Sequence, residues 1–124
     1  MKIRIQGNSI RYRLTRSEVT ALQVKGSFEE HTAFNGKNFG YRVMAKEGIN
    51  ALEADFQEDT ITLFLPKLES EKWPDIDRVG YSNDMILDNG QTLRLLLEKD
   101  FVCLDERVED QSDNYPNPEA TTEK

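Results

Sequence analysis

Cysteine is almost missing from this chain: Cys103 stands alone among 124 residues. One thiol closes no internal disulfide and leaves no cysteine set for a four-ligand zinc site. The expectation is a reducing compartment, with the cytoplasm as the location. Histidine is as scarce, His31 being the single one, between Glu30 and Thr32. A base or metal ligand needs a spatial partner, and none is identifiable around it, so His31 reads as an ordinary strand residue. Long apolar runs are absent too. Met1 leads straight into KIRIQ without the apolar core of a signal peptide, and no stretch is long enough to cross a bilayer, so no membrane is expected. Excess positive charge is lacking: the net charge of -7 argues against general nucleic-acid binding, which needs a basic surface to neutralise phosphates. The acidic C-terminal stretch has no glycine, which excludes a calcium loop of the EF-hand type. No catalytic motif stands out, so whether this is an enzyme stays open, and neither cofactor nor metal site is expected.

What is present suits a single folded unit. The length is enough for one core without staples, and 37% apolar against 31% charged residues fits sheets with one wet face. The segment TLRLLLEKDFVCLD, residues 92–105, is the longest near-continuous apolar stretch. Leu93, Leu95 and Leu97 alternate onto one face and Leu96 onto the other, as in an interior strand. The apolar pattern stops there, dividing the chain into a domain over 1–104 and an acidic tail over 105–124.

Upstream, Lys2 to Gln6 and Ser9 to Leu14 alternate around Gly7-Asn8 and predict an opening β-hairpin. Thr15-Arg16-Ser17-Glu18 has the form of a capping box, and Gly26 is a natural stop, giving a helix from about Thr15 to Lys25. SFEEHTAF, FGYRVMAK, INALEADF and TITLFLP then read as successive strands joined by tight turns. Pro66 is placed as a first helical residue, KLESEKW fits two turns, and Pro74 ends them. Residues 77–82 and 85–87 read as weak strand material, and Asp88-Asn89-Gly90 as a hairpin turn. The expected fold is α+β: a curved antiparallel meander sheet or partly open barrel, with one main helix and one short helix.

Two groups of residues are candidate sites. Lys2, Arg4, Arg11, Arg13, Arg42 and Arg94 fall on polar faces of their strands, with no acidic residue before Glu18 to pair with the first four. Convergent guanidiniums would grip the oxygens of a phosphorylated or otherwise anionic small molecule. The second group is Asp113, Tyr115, Pro116 and Pro118, where two prolines stiffen a segment that carries one aromatic anchor and so costs little entropy to order against a groove. The tail carboxylates Asp105, Glu106, Glu109, Asp110 and Asp113 are expected to fold back onto the basic hairpin, with burial of Tyr115 fixing them. Cys103, between Val102 and Leu104, reads as a small buried hydrophobe.

The charge layout resembles the triphosphate tunnel enzymes, whose barrels point basic and acidic side chains inward. Their first strand carries Glu-x-Glu-x-Lys where this chain has Lys2-Ile3-Arg4-Ile5-Gln6, so no residue is carried over. Over its whole length, through MKIRIQGNSIRYRLTRSEV, TITLFLPK and EKDFVCLDERVEDQSDNYPNP, the chain resembles a small family of uncharacterised bacterial proteins. That resemblance implies a compact bacterial protein and assigns no activity, cofactor or partner. The leading expectation is a non-catalytic ligand- or protein-binding domain. Its rival is an enzyme or binding protein that uses the basic face for an anionic small molecule.

Overall fold

The computed structural model describes residues 1–101 and 112–116. In chain order these form β1 (Lys2–Gln6), β2 (Ser9–Leu14), α1 (Arg16–Lys25), β3 (Ser27–Phe34), β4 (Lys37–Lys46), β5 (Glu53–Gln57) and β6 (Thr60–Pro66). Then come α2 (Lys67–Lys72), a 3-10 turn over Trp73–Asp75, β7 (Gly80–Ile86) and β8 (Thr92–Lys99).

The α+β class holds, and every hairpin is antiparallel. The single meander does not: the strands divide between two four-stranded sheets, β1-β2-β8-β7 and β3-β4-β6-β5, and no closed barrel forms. Both sheets are mixed, because β2 runs parallel to β8 and β4 parallel to β6. Tight turns dictate which neighbours form hairpins. Nothing in a turn dictates which hairpins then lie side by side, and here the first joins the last.

The element order repeats one unit: hairpin, helix, hairpin. Ile10 pairs with Leu95 across the first parallel seam and Ile61 with Tyr41 across the second. Arg94 donates its amide to the Asn8 carbonyl at 2.9 Å, and Gly40 does the same to Asp59 at 2.8 Å. QGNSIRYRLTRSE in the first half aligns with QEDTITLFLPKLE in the second, placing Gln6, Ile10, Leu14 and Glu18 against Gln57, Ile61, Leu65 and Glu69. Each sheet therefore takes one hairpin from each half.

Alternation puts Tyr12, Leu14, Leu95 and Leu97 of one sheet and Val43, Leu63 and Leu65 of the other into one core, all fully buried. Leu95 and Leu97 lie on β8, an interior strand, as the leucine pattern predicts. The Tyr12 hydroxyl crosses between sheets to the Ile61 carbonyl at 2.9 Å. Burial pushes that phenol's pKa up. α1 closes one end with Val19 and Leu22. Its start is the expected capping box, with Glu18 accepting the Thr15 amide at 2.8 Å, and Gly26 ends it at φ 81°, a left-handed conformation that suits glycine. The Met1 amino group sits between Glu18 and Glu30, tying the start of β1 to α1 and β3. Pro66 turns out to end β6 and precede α2 rather than begin it. Trp73 is fully buried, edge-on to Tyr81 with ring centroids 5.3 Å apart.

Candidate functional site

The basic residues expected to converge lie on two different surfaces. In the first hairpin Lys2 is directly opposite Arg13 and Arg4 opposite Arg11. Arg11 and Arg13 continue across the parallel seam to Leu96 and Glu98 of β8, so all four cations share the outward face of the first sheet. They border a shallow cavity of about 300 Å³. Two carboxylates reach into the group. Glu98 stands 3.5 Å from the Arg11 Nε and 3.6 Å from the Arg13 Nε, and Asp100 stands 3.1 Å from the Lys2 Nζ. Arg4 is exposed and makes no ion pair among the described residues.

Arg94 lies on the same face, beside Ser9 in register, but its guanidinium turns to Asp84 at 3.6 Å. Arg42 belongs elsewhere. It sits on β4 in the other sheet, donating to the Thr62 hydroxyl from Nε at 3.1 Å and from Nη2 at 2.9 Å, with Glu29 3.6 Å away. Alternation had marked Arg42 correctly as outward. It carries no information on which sheet that outward face belongs to. His31 is half-exposed on the edge strand β3 and pairs with Glu29 at 2.7 Å. Among the described residues no three metal-ligating side chains gather.

The tail residues that are described pack onto the body. Tyr115 donates its amide to the Asp100 carbonyl at 2.8 Å and forms a parallel bridge with Phe101, the two rings 5.8 Å apart. The Arg16 guanidinium lies 5.1 Å from the centre of the Tyr115 ring and the Lys99 ammonium 4.9 Å from it. Asp113 goes to the start of α1, not to the basic hairpin. Its carbonyl accepts the Arg16 amide at 3.0 Å, and its carboxylate accepts the Ser17 amide at 3.3 Å and the Ser17 hydroxyl at 2.5 Å. An anion there satisfies amides that have no partner within the helix and faces the positive end of its dipole. The Ser17 hydroxyl, foremost, holds the Asp113 carboxyl below the usual carboxylate range. Pro116 is exposed beside Tyr115. Pro118, Cys103, Asp105, Glu106, Glu109 and Asp110 lie outside the described residues.

Lys99 was not among the residues expected to matter. Its neighbours Glu98 and Asp100 make the end of β8 look solvated, yet Lys99 and Asp100 are 6% and 2% exposed. The signal was there, because period two places Lys99 on the same inward face as Leu93, Leu95 and Leu97.

No curated protein and no solved structure matches this chain. A family model does match it over residues 1–119, in keeping with the whole-chain resemblance to uncharacterised proteins. The chain belongs to that family, DUF7009, a family of unknown function.

Proposed function

We propose that this is a non-catalytic binding domain that holds an anionic ligand, rich in phosphate or carboxylate oxygens, on the outward face of β1 and β2. The carrying observation is the register of the hairpin, which sets Arg4 against Arg11 and Lys2 against Arg13. Like charges directly opposite on a sheet are destabilising by themselves. Glu98 and Asp100 reach into this group, and an anion laid beside Arg4 and Arg11 would add charge-assisted hydrogen bonds there. Arg94 extends the strip and Arg42, on the other sheet, stands apart from it. In the same reading the domain occupies a reducing bacterial cytoplasm, and Asp113, Tyr115, Pro116 and Pro118 serve a protein partner.

Tripolyphosphate tests the proposal. A ligand bound only by the folded state at a hundred times its dissociation constant stabilises by about 2.7 kcal/mol, a readily measured rise in Tm. Arg4→Ala with Arg11→Ala should abolish that rise. A shift no larger than sodium chloride gives at matched ionic strength would sink the reading.

A further inference from the structure

A second cavity, of about 600 Å³, opens on the inward side of the first sheet, between the 3-10 turn and the tail. Its charged lining consists of Arg16, Lys99, Asp75 and Asp77. Lys99 is 94% buried, the complement of its 6% exposure. Its ammonium donates to the Ile76 carbonyl at 2.6 Å and lies 4.9 Å from the centre of the Tyr115 ring and 5.8 Å from that of Trp73. Among the described residues no carboxylate comes within ion-pair distance of Lys99 or Arg16. Burial lowers the Lys99 pKa, with Asp77 opposing that shift from a distance. A buried ammonium costs free energy unless it is paired and fully hydrogen-bonded. Among the described residues a single carbonyl accepts one of its three protons.

We infer that the cavity is a binding site for a small monocarboxylate with a flat apolar body. The carboxylate lies between Lys99 and Arg16 and accepts from both. The body rests against Phe101, Val79, Ile76 and Pro74, which supply the apolar wall. Asp75 and Asp77 limit the charge of the ligand, since a phosphate or polyphosphate would bring a second negative charge against them. The volume falls within the range of small-molecule sites. Both cations contact the Tyr115 ring, so Tyr115 is part of the site. Neither cation belongs to the strip on β1 and β2, and the inference stands apart from the proposal made for that strip.

Trp73 is the protein's one tryptophan and lies 5.8 Å from the Lys99 ammonium, so its emission responds to a change at Lys99. Phenylacetate, titrated at constant ionic strength, should give a saturable change, and inorganic phosphate and sodium chloride should not. Lys99→Met and Arg16→Gln should each weaken the phenylacetate response at least tenfold, while Arg4→Ala with Arg11→Ala should leave it intact. Arg16 is exposed, so Arg16→Gln keeps the test alive if Lys99→Met folds poorly. The inference is overturned by a response that does not saturate, by one that both variants retain, or by phosphate that binds as well as phenylacetate.

Discussion

At the scale of single residues, charge placement is where stability and function pull apart. Lys99 is held in a site that suits leucine, and its lowered pKa carries a sign. Between the lowered folded-state value and the ordinary 10.5, the unfolded chain binds more protons than the folded one, so stability contributed by this group rises with pH. Lys99→Met should remove that slope. The difference in unfolding free energy between wild type and variant, measured by denaturant titration from neutral pH to about pH 10, should therefore move in favour of wild type as pH rises. A flat difference would show that the ammonium is not penalised by burial. Asp113 has the opposite sign. Its pKa is depressed, so the contact with Ser17 is intact above the ordinary carboxylate value and is lost as pH falls through the lower folded-state value. Asp113→Asn at neutral pH should speed amide exchange at Tyr115 roughly fivefold, as expected for losing one hydrogen bond of about 1 kcal/mol. Unchanged exchange would mean that the Tyr115 ring alone fixes the tail.

At the scale of elements, the two halves close the equivalent hairpin with different residues and different turn conformations. Gly7 and Asn8 link β1 to β2, with Gly7 at φ 54°, while Glu58 and Asp59 link β5 to β6 at φ 52° and 60°. Left-handed backbone costs an ordinary side chain about 1 kcal/mol and costs glycine almost nothing. Glu58→Gly should therefore stabilise the domain by about 0.5 to 1 kcal/mol in thermal or denaturant unfolding, less the entropy glycine adds to the unfolded chain. A loss of stability would show that Glu58 makes a compensating contact. Local elements were the legible part of the fold. Lys2–Gln6, Ser9–Leu14 and Thr60–Pro66 alternate cleanly and form strands at those bounds, and Thr15 with Glu18 announces the helix. β7 was harder. Ser82, Asn83 and Asp84 interrupt its apolar pattern, yet the strand runs unbroken over Gly80–Ile86 because β8 supplies hydrogen bonds along its whole length and the Asn83 side chain finds the Leu52 carbonyl at 2.8 Å.

At the scale of the whole molecule, neither half has a sheet of its own. The seams β2 with β8 and β4 with β6 both join one half to the other. Two isolated hairpins and a helix bury too little to fold. Residues 1–49 and 50–124, prepared as separate peptides, should each lack stable structure, and mixing them should restore the circular dichroism of the intact chain. Either fragment folding alone would contradict the shared-sheet account. The sequence by itself determined the local elements, the faces on which side chains stand and the acidic balance, because turn chemistry and period-two alternation act between residues close in the chain. Only the tertiary structure decided that the first hairpin lies beside the last, that Arg42 is parted from Arg4, Arg11 and Arg13, and that Lys99 and Arg16 both meet Tyr115. Those pairings follow from which apolar faces can be buried together, and that free energy belongs to contacts among distant segments that no local pattern encodes.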